Sequence, residues 1–182
     1  MSDMANLFLN SVFSENLVFI TFFGTLLLFI EAKGARKSFT KSLKFTAIFF
    51  GVILVGWAVR GWLNGSENVI LFVFFFTSLM GAFSLRSWGE LNGDWMGIPR
   101  FIVVLAPFMG IQWLLYEQGI AYFDTIYAIL GSVVGFYVAF VLIAAVREQL
   151  KISEIPDFLN RQAILLITMA FFAVALIGFA FI

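Results

Sequence analysis

The segment IYAILGSVVGFYVAFVLIAAV, residues 126–146, contains no charged side chain and ends against Arg147. As a helix it is about 31 Å long at 1.5 Å per residue, matching the roughly 30 Å hydrocarbon core of a bilayer. It is far too long for a single strand, so it reads as a transmembrane helix. Working outward, five more apolar segments follow the same pattern between charged connectors: about Ala5 to Ile30, Phe45 to Leu63, Val69 to Leu85, Phe101 to Tyr116 and Ala163 to Ile182. Six spans use up nearly all of the 182 residues, and the connectors are too short for a separate domain. The expectation is one all-α integral membrane domain over residues 1–182.

Composition points the same way. Hydrophobic residues make up 62% of the chain and charged residues 12%, against roughly 45–50% and 25% in soluble proteins. A water-soluble domain of this size could not hide that much apolar surface, so a secreted domain, a soluble enzyme and a disordered regulator are excluded. The formal net charge is zero, which gives no whole-chain attraction to nucleic acid. The lipid bilayer is the first partner.

The chain has no Cys and no His. Disulfides, a thiolate nucleophile, cysteine-ligated zinc and iron–sulfur ligation by this chain are thereby excluded, and the commonest general base is missing. A redox or metal centre must belong to a partner subunit or be held by carboxylates and carbonyls. No basic residue precedes Lys33, so the N-terminus lacks the charged region of a signal peptide and its apolar stretch is expected to be retained.

The charges are sided. Lys33, Arg36, Lys37, Lys41 and Lys44 lie between spans one and two, Arg86 and Arg100 between three and four, and Arg147, Lys151 and Arg161 between five and six. The other side carries Arg60 alone, with Asp3, Glu67, Glu117 and Asp124. The positive-inside rule then puts these three connectors in the cytoplasm and both termini on the non-cytoplasmic side, in a bacterial inner membrane. Trp62, Trp88 and Trp95 fall near span ends, where indole rings favour the headgroup region. Five basic residues in the first connector also attract anionic lipid.

Three spans per half require any internal repeat to be inverted across the membrane, with halves of roughly 1–85 and 86–182. Ala58-Val59-Arg60-Gly61-Trp62-Leu63 and Ala145-Val146-Arg147-Glu148-Gln149-Leu150 share AVRxxL at an offset of 87 residues (Ala58 to Ala145). The same offset carries Leu26 in span one onto Trp113 in span four. These two spans look least like plain helices. Ser14-Glu15-Asn16 interrupts span one, while span four is short and holds Pro107, Gly110 and Gln112 near its middle. Interrupted spans at matching places in two halves point to a central site; the alternative is a capped helix at the surface and a simple proline kink.

The motifs SVFSEN at Ser11 to Asn16, Gly24 eight residues after Asn16, and the basic stretch from Lys33 to Ser38-Phe39 resemble the first third of the NqrE and RnfA type of Rnf/Nqr membrane subunits. The likeness continues through Pro107, Gly135, Arg147-Glu148, Glu154-Ile155-Pro156, Ala163-Ile164, Leu166-Ile167-Thr168 and Gly178-Phe179, with residues 64–100 poorly matched. The resemblance implies a pair of homologous six-span subunits of opposite orientation within an ion-pumping oxidoreductase. It implies two inverted three-helix repeats with helices one and four interrupted at Gly24, Pro107 and Gly110. It further implies one cysteine from each interrupted span, four thiolates in the pair holding a [2Fe–2S] cluster. Counted from the matching motifs, those cysteines fall on Leu26 and Trp113. Neither an alkyl nor an indole group ligates iron as a thiolate does, so no cofactor is expected on this chain, and flavins and iron–sulfur centres are left to partner subunits. A Leu and a large aromatic at these positions suggest a site filled by packing.

Glu15, Asn16 and Gln112 are the candidate ion or polar site. An ionisable group within a membrane is by default a functional hypothesis; the alternative for Glu15 is a helix N-terminus at the interface. Gln112, Thr21, Thr77 and Thr168 are candidates for interhelical hydrogen bonds. The stretch from Arg147 to Arg161, with Leu150, Ile152, Ile155 and Phe158, suits a short amphipathic segment at the cytoplasmic surface. Three functional classes stay open: a cluster-less scaffold or ion-pathway subunit of a redox-linked complex, a small stand-alone transporter or channel, and a non-redox membrane scaffold pairing with a homologue.

Overall fold

The computed structural model describes residues 2–13, 15–16, 18–19, 24–31, 35–62, 67–88, 91, 94–95, 98–120, 123–153 and 161–178. Ser14, Thr21, Lys33, residues 154–160 and Phe179, each given a reading above, lie outside the described residues. In chain order the elements are α1 (Ser2–Val12), α2 (Thr25–Glu31), α3 (Ala35–Trp62), α4 (Glu67–Ser87), an antiparallel hairpin of β1 (Asp94–Trp95) and β2 (Ile98–Pro99), α5 (Arg100–Val103), α6 (Leu105–Glu117), α7 (Thr125–Ile152) and α8 (Arg161–Ile177).

Among the described residues, four stretches are long and apolar enough to cross a membrane: Phe39–Trp62, Glu67–Ser87, Arg100–Glu117 and Thr125–Ile152. The first apolar segment is not one of them, because it divides into α1 of 11 residues and α2 of 7. The last is α8, whose apolar part is Ala163–Leu176. Two boundaries differ from expectation. Helix α3 starts at Ala35 rather than Phe45, taking Arg36, Lys37, Lys41 and Lys44 onto a helix; Lys and Arg are good helix formers and do not stop one. Helix α7 runs past Val146 to Ile152, so the first residues of the expected surface segment continue the span instead.

Helix α7 is the hub. Helices α1 and α3 pack along it, α4 lies on α3, α6 lies on α4 and α3, and α8 rests on α7. Where α1 meets α7, Gly131 and Gly135 stand one turn apart and let the backbones touch: a methyl at Gly131 would lie 2.5 Å from the Phe8 carbonyl oxygen. The centre is aromatic. Phe49 has its ring centroid 5.3 Å from Phe108 and 4.8 Å from Phe136, and Phe45 sits 6.1 Å from Phe140, all of them buried. Phe19 of the first segment meets Phe172 of α8 at 5.5 Å.

Candidate functional site

The two interrupted segments meet in the middle of this bundle. Helix α1 stops at Val12, and the chain then turns through Phe13, Glu15 and Asn16, with Glu15 N–H donating to the Asn10 carbonyl at 2.7 Å. A broken helix inside a membrane leaves backbone groups that water cannot reach, and each must find a partner. Asn16 supplies them. Its Nδ2 donates to the Val12 carbonyl at 2.8 Å, and its Oδ1 accepts from Val18 N–H at 3.0 Å and Phe19 N–H at 3.2 Å. The side chain is thus a splint across the break, 1% exposed and hydrogen-bonded within its own segment.

Gly24 resumes the chain before α2 with φ +85°, in the left-handed region that other residues avoid. A methyl there would lie 3.1 Å from Pro107 Cβ and 3.3 Å from the Phe136 ring. The two residues singled out as breaks in different halves are therefore in contact. Span four is interrupted at Val104, between α5 and α6, while Gly110 lies within α6. Pro107 has no N–H to donate to the carbonyl of Val103, four residues back, and Val103 is where α5 ends. Val104 itself stays in the right-handed helical region with φ −75° and ψ −19°.

Glu15, Asn16 and Gln112 do not form one site. Glu15 is exposed and its Oε2 accepts from Gln118 Nε2 at 2.7 Å, a link between the turn of the first segment and the end of α6. Gln112 is buried at the junction of α3, α4 and α6. Its Oε1 accepts from Thr77 Oγ1 at 2.9 Å, and its Nε2 donates to Ser78 Oγ at 3.0 Å and to the Phe108 carbonyl at 3.0 Å. Gly56 makes room for the amide, since a methyl there would overlap it. Thr168 bonds only within its own helix, to the Ile164 carbonyl at 2.8 Å.

Sequence reasoning missed the buried charge. Glu31, the last residue of α2, has a side chain 1% exposed and is ion-paired with Lys41 of α3; Arg100, at the head of α5, brings Nη1 to 3.8 Å from the other carboxylate oxygen. Among the described residues, Glu31 Oε1 and Arg100 Nε have no hydrogen-bond partner. In the sequence Glu31 adjoins a basic cluster and drew no reading, and Arg100 follows a proline and counted among the connector charges. Only the end of span one meeting the start of span four reveals them.

Leu26 lies on α2 and Trp113 on α6. Trp113 is half-buried rather than central, its ring 5.6 Å from Tyr116, and it lines an apolar groove with Leu71, Phe75, Ile102 and Met109. Packing at the bundle centre falls instead to Phe49, Phe108 and Phe136. The iron–sulfur cluster that the family resemblance implies does not fit these residues, because neither offers a thiolate. Among the described residues no group of three His, Cys, Asp or Glu side chains could hold a metal ion.

No family model matches the chain. It is similar along its whole length to a subunit of the proton-translocating ferredoxin:NAD(+) oxidoreductase complex of Clostridium ljungdahlii, 21% identical over 99% of this chain and 97% of that protein. It is equally similar in extent to a subunit of the Na(+)-translocating NADH-quinone reductase of Idiomarina loihiensis, 26% identical over 100% of this chain and 96% of that one. A shorter match, 32% identical over 72 residues and 40% of this chain, is to a subunit of the Na(+)-translocating ferredoxin:NAD(+) oxidoreductase complex of Acetobacterium woodii, covering 38% of that protein. With four membrane-length apolar helices among the described residues the chain is an integral membrane protein, and relatives of this kind along its whole length support the Rnf/Nqr membrane-subunit family.

Proposed function

We propose that this chain is a membrane subunit of a redox-linked, ion-translocating complex of the Rnf/Nqr type, serving as a scaffold or ion-pathway component without a cluster of its own. The observation that carries the reading is its end-to-end similarity to subunits of such complexes, combined with Leu26 and Trp113 where the family resemblance expects iron ligands. Flavins and iron–sulfur centres are then held by its partners, among them a homologous six-span subunit of opposite orientation.

In this reading α1 and α2 are the two halves of span one, and α8 belongs to span six, so that 1–182 is one domain of two inverted halves. The contacts support it. An inverted repeat pairs span one with span four, two with five and three with six. The contact of spans one and five (α1 with α7) then has its counterpart in spans four and two (α6 with α3), and the contact of spans two and three (α3 with α4) in spans five and six (α7 with α8). The sidedness of the basic residues supports an orientation with both termini outside the cytoplasm of a bacterial inner membrane.

Purification through a tag on this subunit tests the proposal. A cysteine-bearing homologue and flavin-carrying subunits should co-purify, with no iron assigned to this chain. Isolation as a functional homodimer in liposomes, or stoichiometric iron ligated at Leu26 and Trp113, would overturn it.

A further inference from the structure

Helix α2 lies antiparallel to the start of span four. Gly24 stands against Pro107 at one end and Glu31 beside Arg100 at the other, seven residues apart on each segment (Gly24 to Glu31, Arg100 to Pro107). The first contact is closed, since a methyl at Gly24 would lie 3.1 Å from Pro107 Cβ. The second is open. Arg100 Nη1 is 3.8 Å from Glu31 Oε1, beyond hydrogen-bond reach. The atoms of this pair that lack a hydrogen-bond partner among the described residues are an acceptor, Glu31 Oε1, and a donor, Arg100 Nε, both buried. Buried orphans call for an explanation, and these two are complementary: a guanidinium that approaches a carboxylate side-on gives it Nε and one Nη together.

Two features hold Arg100 off. Lys41 is ion-paired with the other carboxylate oxygen, and its charge repels a second cation. On the opposite side Phe101, next to Arg100, is stacked on Phe83 of α4 with ring centroids 5.5 Å apart, and Arg86 lies 5.2 Å from the Phe101 centroid. Helix α5 thus stands between two sets of contacts, one on α4 and one on α2. It is only four residues long and ends at Val103, whose carbonyl gets no N–H from Pro107. Beyond Val104, α6 is fixed to α4 through Gln112. A short segment with a break behind it and alternative partners on either side is a two-position element.

We propose that α5 is a latch between the two interrupted spans. In the open position, seen here, Lys41 holds Glu31 and Phe101 holds α5 on α4. In the closed position α5 turns about Val104 and Arg100 closes on Glu31 through Nε and Nη. Lys41 then turns out to the surface that its side chain, 26% exposed, already reaches. Closing gives up the stack on α4, so it offsets only part of what loss of Lys41 costs. The contact of Gly24 with Pro107 stays as the pivot, and the latch does not depend on the redox role.

The test reads the Arg100 guanidinium in the purified full chain in nanodiscs, by NMR with isotope-labelled arginine, Arg100→Lys assigning the signal. Lys41→Met should move the Arg100 Nε–H downfield and slow its exchange about ten-fold, as a new charge-assisted hydrogen bond requires. Phe101→Leu keeps Lys41 but weakens the stack, and should move the signal the same way by less; it carries the test if Lys41→Met is poorly made. A double-mutant cycle of Glu31→Gln with Arg100→Gln should show coupling within about two-fold in the parent and about ten-fold in either variant background. An Arg100 signal and a coupling that stay at their parent values would overturn the latch, because a fixed loose contact is indifferent to both substitutions.

Discussion

Phe49 and Phe136 face each other with ring centroids 4.8 Å apart where α3 packs on α7, and they stand 87 residues apart (Phe49 to Phe136), the offset that also relates the two AVRxxL segments. In an inverted repeat a residue that touches its own counterpart lies on the symmetry axis. Both rings are buried, so Phe49→Ala and Phe136→Ala should each destabilise the protein by about 3 kcal/mol, and by similar amounts if the two halves are equivalent. A double-mutant cycle in detergent should give a coupling of about 1 kcal/mol. Strictly additive costs would remove the pair from the centre.

The charge cluster at the other end of α2 predicts an asymmetry. Glu31 has a side chain 1% exposed, whereas those of Lys41 and Arg100 are 26% and 25% exposed. Removing Lys41 leaves a buried carboxylate with one distant guanidinium; removing the carboxylate leaves two cations that can reach water. Lys41→Met should therefore cost about 3–5 kcal/mol and Glu31→Gln about 1–3 kcal/mol. The double variant should recover most of the loss of Lys41→Met. Thermal melts of the three variants decide it, and a larger loss for Glu31→Gln than for Lys41→Met would contradict the burial argument.

The helices were legible in the sequence because apolar length between charges is a property of single segments. The apolar run from 126 to 146 needed no tertiary information, and α7 contains it. What was illegible depended on neighbours. Arg100 read as a connector charge and Glu31 drew no reading, because the end of span one and the start of span four are far apart in sequence, yet Arg100 stands beside the buried Glu31. Trp113 suggested a filled centre, whereas it is half-buried and lines an apolar groove.

Asn16 is expected to matter through its amide alone. Asn16→Ala strands the Val12 carbonyl and the Val18 and Phe19 N–H groups, a loss of about 2–4 kcal/mol from unsatisfied buried groups. Asn16→Asp keeps the acceptor but turns an oxygen toward the Val12 carbonyl, which accepts from Nδ2 at 2.8 Å in the parent. It should be no better than Ala, although its shape is nearly unchanged. Hydrogen exchange at Val18 and Phe19 separates this role from an ion-binding one: both amides should exchange faster in the Ala variant at every sodium concentration.

The contact between Gly24 and Pro107 gives two opposite expectations for residues that touch. Gly24→Ala forces a side chain into φ +85° and places its methyl 3.1 Å from Pro107 Cβ, so it should destabilise by about 1–3 kcal/mol. Pro107→Ala removes no hydrogen bond and restores an N–H that can donate to the Val103 carbonyl at the end of α5, so it should change stability by under about 1 kcal/mol. The pair also tests which part of the Gly24 cost is steric. If crowding dominates, Pro107→Gly, which removes the Cβ nearest to the new methyl, should relieve part of the loss in Gly24→Ala, whereas Pro107→Ala keeps that atom and should not. If backbone strain dominates, the two effects should add, because trimming the ring leaves φ at Gly24 where it is.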